Sequence, residues 1–378
     1  MPSMIQRIGG RFLSEEAQLS LGSAALRIVG ARRLLGEGVA AAVLSLTGEP
    51  DDLTDVLART RDFETWVAAW RDVSAAHADA SEAAAAGSRE QVRQLRLAAL
   101  ALAFANQAHA MADVFTGVSR ELVAVHARLH ALVEPRYEAV EVGSGEAAVP
   151  ALLRVPAGLA PAPVVVILQG LERSKEQAFP LEDALCARGL ATLTVDQPGV
   201  GAALAAGVTI GDAAVLDGFG DGVARAVAGD VRLDAGRLFL FGFSLGGAMA
   251  LAIAQRAGAA GVVTLGAPLH VDPAQLSVTA RRRARFAAGV RTDAEVVELL
   301  ETVGLEARLT RLESPLLVLH GAADPVVDRR QAARIGRGAG GEVEVRVFPR
   351  GDHSCTQYAS AVWALTADRF ARLADTSR

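Results

Sequence analysis

Three short segments of the chain carry a hydroxyl, a carboxylate and an imidazole in the pattern that acyl chemistry needs. The first is Gly242-Phe243-Ser244-Leu245-Gly246-Gly247, the second His320-Gly321-Ala322-Ala323-Asp324-Pro325, and the third Gly351-Asp352-His353-Ser354-Cys355. A serine hydroxyl is a poor nucleophile at neutral pH. An imidazole that takes its proton, and later gives it to a leaving group, makes it a good one. A carboxylate orients that imidazole and stabilises its charged form. Ser244, His353 and Asp324 are therefore the candidate catalytic residues, with Asp272 as the alternative acid. His320 reads as a hydrogen-bond partner for loop backbone, and Cys355, which lacks the turn around Ser244, as a small packing residue.

These side chains can meet only if the preceding elements bring their ends together. Each segment follows a short apolar run: Leu238 to Phe241, Leu316 to Leu319, and Val343 to Phe348. Similar runs are Val164 to Leu168, Ala191 to Val195 and Val262 to Leu265. Continuous apolar runs separated by helical segments specify a mostly parallel sheet with helices on both faces. Ligands bind such sheets beyond the carboxyl ends of the strands, where these residues lie. Tyr137 to Val142 and Val149 to Val155 add an antiparallel pair around the Gly143-Ser144-Gly145 turn, which brings the sheet to eight strands. Ser244 falls between a strand and the helix Ala248 to Gln255, a strained turn whose small neighbours allow backbones to crowd. The helix N-terminus behind it favours developing negative charge. An oxyanion would be held by the Leu245 N–H and by an N–H of the Gln169 to Glu176 loop, for which Leu171 is the choice. Gly170, Phe243 and Trp66 are the candidate substrate contacts. Lys175, the single lysine, is either an exposed residue of the following helix or a functional cation.

Residues 1–133 have a helical period. Phe63 to Ala86 repeats apolar residues every three or four positions and puts Trp66 and Trp70 on one face. Those tryptophans serve internal packing, a dimer contact or the substrate. Ser88 with Gln91 forms a capping box for a helix to about Val114, and another fits from Ser119 to Val133. Two shorter helices precede the Gly48-Glu49-Pro50 turn. The domains are thus a helical one at 1–133, expected to cover the site, and a catalytic one at 134–378, with a helical cap insertion at about 267–314. Within that insertion, the Arg281 to Arg285 run reads as a solvated face, an attractor of an anionic substrate, or a partner for acids of the N-terminal domain.

Composition narrows the functional classes. A net charge of −5 argues against nucleic acid as the partner. Two cysteines, Cys186 and Cys355, make neither a disulfide framework nor a zinc site and suit a cytoplasmic protein. The most apolar stretch, Leu95 to Ala105, is shorter than the roughly 20 residues a membrane-spanning helix needs. The expected partner is a small molecule, with no cofactor, metal or membrane called for.

Taken together, the serine turn, Asp324 in its loop, the Gly351 to Cys355 end and the Gln169 to Glu176 loop resemble the α/β-hydrolases. The likeness is to the branch with an N-terminal helical domain that includes FrsA-like esterases, dihydroxy-pseudooxynicotine hydrolases and fungal polyketide-shortening hydrolases. Members carry a similar G-G-L-E-S-x-K-E loop, a D-x-P-G-x-G turn and a G-D-H-x-C end. Here these are Gln169 to Glu176, Asp196 to Gly201 and Gly351 to Cys355, with Gln169 in place of the first glycine. The W-x-x-x-W at Trp66 and Trp70 extends the likeness into the helical part. The resemblance implies an α/β-hydrolase fold, a Ser244-Asp324-His353 triad, a substrate lying between the domains and often a homodimer. It implies cleavage of an ester, or of a carbon–carbon bond beside a ketone, in a metabolite of secondary metabolism or aromatic catabolism, and the apolar, Ala-rich helical part favours a bulky, mostly apolar one. Two alternatives accompany it. One is elimination of acetate from an O-acetylated, spirotetronate-like natural product, with His353 removing a proton. The other is a non-catalytic binding protein that keeps the fold.

Overall fold

The structure, a computed structural model of the 378-residue chain, describes residues 49–107, 112–143, 145–158, 160–273 and 276–376. The helices expected before Gly48 lie outside these. Packing divides the chain into two compact units, Met1–Leu132 with Asp272–Arg283, and Val133–Val271 with Ala284–Arg378.

The described part of the first unit is built on helices α1 (Pro50–Arg59), α2 (Phe63–Ala83), α3 (Arg89–Gln107) and α4 (Ala112–Ala127). Pro50 opens α1, where its missing N–H costs nothing. Asp62 and Thr65 form a reciprocal capping box that starts α2. The Ser88 hydroxyl accepts from Gln91 N–H (3.1 Å), while the Gln91 side chain reaches back to Gly87 N–H (2.8 Å). Helix α3 is buried on all sides from Leu97 to Asn106 and packs against α2 and α4. Trp70 and Phe104 meet at 5.1 Å between ring centroids. Among the described residues no helix is long and apolar enough to cross a membrane. The expected helix from Ser119 to Val133 is displaced: α4 begins at Ala112 and ends at Ala127. Ser119 does not start it, because its hydroxyl is buried and accepts from Asn106 Nδ2 (3.1 Å) across the α3–α4 contact. One member of the arginine run departs from a solvated face. Arg283 is buried and lays its guanidinium 3.7 Å from the Phe115 ring centroid.

The second unit is organised by one eight-stranded sheet in the order β1-β2-β4-β3-β5-β6-β7-β8. The strands are β1 (Glu138–Val142), β2 (Val149–Arg154), β3 (Ala162–Leu168), β4 (Ala191–Val195), β5 (Leu233–Phe243), β6 (Gly261–Leu265), β7 (Leu316–Gly321) and β8 (Val343–Phe348). β1–β2 and β2–β4 pair antiparallel and every other pair is parallel. Helices α5 (Phe179–Cys186), α6 (Gly201–Ala205), α7 (Ala213–Ala228), α8 (Leu245–Ala257), α9 (Val278–Ala288, of which Val278–Arg283 belongs to the first unit), α10 (Asp293–Val303), α11 (Leu305–Thr310), α12 (Arg330–Gly338) and α13 (Ala359–Thr376) connect or follow the strands. Val165, Ile167, Phe239, Phe241, Val263 and Leu317 share one sheet face with Leu181 and Leu185 of α5 and Phe370 of α13. The alternate residues, such as Val164, Val166 and Leu240, are equally buried, and α7 and α8 pack with β5. Burial on both faces is why these strands read as continuous apolar runs.

The topology fixes where chemistry can occur. The chain leaves β3 towards β4 on one side and returns on the other side as β5. The loops after β3 and β5 therefore diverge and leave a crevice beyond their carboxyl ends, the switch point at which open α/β sheets bind ligands. Leu168 and Gly242 are register partners, so the Gln169 loop and Ser244 leave the sheet side by side.

Candidate active site

β5 ends at Phe243 and α8 begins at Leu245, so Ser244 alone makes the turn, at φ 52° and ψ −121°. This is a region that side chains rarely occupy, held here by surrounding structure. A Cβ on Gly242 would lie 2.2 Å from the Gly246 carbonyl oxygen, and one on Gly246 would lie 2.2 Å from that of Leu168. Only glycine lets α8 start so close to β3 and β5. The Ser244 N–H donates to Leu265 O (2.8 Å), which ties the turn to β6.

The serine, histidine and acid proposed from sequence come together although they lie on three separate loops. His353 Nε2 is 2.8 Å from Ser244 Oγ, and His353 Nδ1 is 2.7 Å from Asp324 Oδ2. A carboxylate only accepts, so Nδ1 carries the proton and Nε2 presents its lone pair to the serine hydroxyl. The Asp324 carboxylate is buried; its other oxygen accepts the N–H groups of Val326 (2.7 Å) and Val327 (2.9 Å). The acid is thus fixed in place by backbone donors. His320 Nε2 donates to Val327 O (3.0 Å), and burial keeps its pKa below the ordinary histidine value. Cys355 is buried, and burial pushes its thiol up to about 12, far from a reactive thiolate.

Beside the serine runs the loop that follows β3. Its entry is clamped by Gln197, whose side chain accepts from Gln169 N–H (3.2 Å) and donates to Gln169 O (2.5 Å). Gly170 packs so tightly that a Cβ there would lie 2.8 Å from Phe243 and 3.3 Å from Ser244 Cβ. Leu171 and Leu245 are half-buried, and neither N–H donates to a protein acceptor among the described residues. Lys175 is not an exposed helix residue. It is buried, its Nζ 2.5 Å from Glu176 Oε1 and 3.0 Å from Asp196 Oδ2, while its N–H donates to Asp196 Oδ1 (2.7 Å). Asp196 also accepts from Ala202 N–H (2.8 Å). Burial lowers the lysine's pKa, but the two carboxylates outweigh it and hold the ammonium above its ordinary value. The lysine, which sequence left between two readings, is the bolt that fastens this loop to the turn after β4.

Phe243 is buried with its ring centroid 5.2 Å from that of His353. Trp66 lies in the first unit, where it is buried and donates its indole N–H to Phe104 O (3.0 Å), so packing accounts for it. Arg173 was missed by sequence reasoning. Its guanidinium lies 4.3 Å from the Phe243 centroid and donates to Ser354 Oγ (3.2 Å).

An eight-stranded, mostly parallel sheet with a serine turn after β5 is the architecture of an α/β-hydrolase, and the chain is an enzyme of that class. A family model described as "Esterase FrsA-like" matches residues 39–282, and the chain belongs to the FrsA-like esterase family. Over 70 residues it is 40% identical to the 2,6-dihydropseudooxynicotine hydrolase of Paenarthrobacter nicotinovorans. That stretch is 18% of this chain and 19% of the relative, so the chain spans about a fifth of the length of the curated relative it matches. Among solved structures, 2,6-dihydroxy-pseudo-oxynicotine hydrolase is similar with a TM-score of 0.76 at 23% identity, covering 88% of this chain and 95% of that one. Wild-type AbyA5 is similar with a TM-score of 0.70 at 20% identity, covering 90% and 99%. At these identities the likeness is one of fold.

Proposed function

We propose that the protein is a serine-dependent hydrolase that cleaves an ester, or a carbon–carbon bond beside a ketone, in a small metabolite. One observation carries this reading: the unbroken hydrogen-bonded series from Ser244 Oγ through His353 to Asp324, at 2.8 and 2.7 Å. In the first half-reaction His353 Nε2 takes the serine proton as Oγ adds to the substrate carbonyl. The imidazolium so formed is stabilised by Asp324. The carbonyl oxygen becomes an oxyanion and is received by the N–H groups of Leu245 and Leu171. His353 then protonates the leaving oxygen or carbon as the bond breaks, leaving an acyl group on Ser244. In the second half a water gives its proton to His353 and attacks the acyl carbon, and the serine leaves with that proton restored.

The test is labelling with a fluorophosphonate probe. The expected result is one adduct, on Ser244, lost in Ser244→Ala. Labelling that survives this substitution would exclude Ser244 as the nucleophile. Nitrophenyl ester turnover with a burst of one equivalent of nitrophenol is the kinetic counterpart.

A further inference from the structure

Arg173 stands out among the buried cations of the second unit. Lys175 holds two carboxylates, and Arg154 pairs with Asp183 at 2.8 Å. The half-buried Arg173 guanidinium meets only a neutral hydroxyl, Ser354 Oγ, and the face of Phe243. Among the described residues it has no ion pair. Asp352 and Glu172 act on it only from beyond contact, and burial brings its pKa down to about 10 against their pull. An arginine taken partly out of water without an anion is costly to keep. Its position is not casual. Arg173 N–H donates to Gly170 O (3.1 Å), so the backbone that carries it also forms the wall beside Ser244. Ser354 follows His353, and Phe243, beneath the guanidinium, packs against the His353 ring. Both groups that the guanidinium touches are next in sequence to a member of the serine–histidine pair.

We propose that Arg173 is an anion-binding residue of this site, and that the compound acted upon carries a carboxylate or an equally planar delocalised oxyanion such as an enolate. The guanidinium fork pairs with two coplanar oxygens in one plane, and stacking on Phe243 fixes that plane. The proposal deepens the hydrolase reading, on which its turnover arm alone rests.

The first measurement is calorimetric titration with benzoate, with the enolate of dimedone, and with neutral benzamide. Wild type binds one or both anions more tightly than benzamide. Arg173→Gln weakens anion binding by roughly 10- to 100-fold, the span of a charge-assisted hydrogen bond, and Arg173→Lys, which keeps charge but loses the fork, by less. Binding of benzoate alone, or of both anions, separates a carboxylate from the broader class. Anion binding no tighter than that of benzamide, or unchanged in Arg173→Gln, overturns the proposal. The second measurement is the ratio of kcat/KM for mono-4-nitrophenyl glutarate over 4-nitrophenyl valerate. The ratio falls in Arg173→Gln and is partly recovered in Arg173→Lys. An equal loss on both esters would mean a packing role and would also overturn it. Ser244→Ala is expected to retain benzoate binding. Arg173-dependent binding without ester turnover in wild type would leave the anion site standing and remove the hydrolase reading.

Discussion

The two halves of the loop after β3 are built on opposite principles. From Ser174 to Gln177 it is buried, and the lysine there is matched to two carboxylates and its backbone N–H to a third oxygen. From Gly170 to Arg173 it leaves an N–H at Leu171 and a guanidinium at Arg173 without strong protein partners. A group that must receive a substrate has to be left unsatisfied, and it keeps its position only if its neighbours are over-determined. The closed half supplies the rigidity that the open half lacks.

Five variants test that division. The largest effect is expected where the open half meets the serine. Ser244→Ala should lower turnover of an activated ester on the order of 10⁶-fold while the thermal midpoint stays near wild type. Next, Asp324→Asn should cost roughly 10⁴-fold in kcat, since the amide leaves the imidazole in the wrong tautomer; stopped-flow or steady-state rates decide it. On the closed half the effect moves from rate to stability. Lys175→Met strands two buried carboxylates and should cost about 3–5 kcal/mol in urea denaturation at neutral pH. A Lys175→Met, Asp196→Asn double variant should recover part of that loss, and full additivity would mean the pair is not coupled. The smallest change is expected for Arg173→Gln. It strands no buried carboxylate, so the unfolding free energy from urea denaturation should change by less than about 1 kcal/mol in either direction. A loss as large as that of Lys175→Met would erase the distinction between the halves.

The sheet was readable because its signal is local. Strands buried on both faces carry uninterrupted β-branched runs, and all eight appear within a few residues of the expected bounds, β5 alone being extended back to Leu233. The serine, acid and histidine were readable because the fold places chemistry immediately after such runs. What failed depends on distant partners. Lys175 looks like any helix-leading cation until Asp196 is folded against it, and Arg283 like a solvated one until it meets Phe115. The helix expected from Ser119 starts earlier, and the Ser119 hydroxyl serves Asn106 on the previous helix. Arg173 carried no signal, because its lack of an ion pair is a property of space and not of spacing.

The contact of Gly246 with the Leu168 carbonyl has a consequence for how the enzyme breathes. With no side chain between them, the start of α8 and the end of β3 cannot separate without parting the central strands. The turn that carries Ser244 is therefore expected to open together with the sheet as one cooperative block. Amide deuteration at Ser244 and Gly247, whose N–H groups are bonded within this block, should proceed only through global opening. Heat or denaturant should then abolish labelling of the serine and the near-ultraviolet signal of the core in one transition.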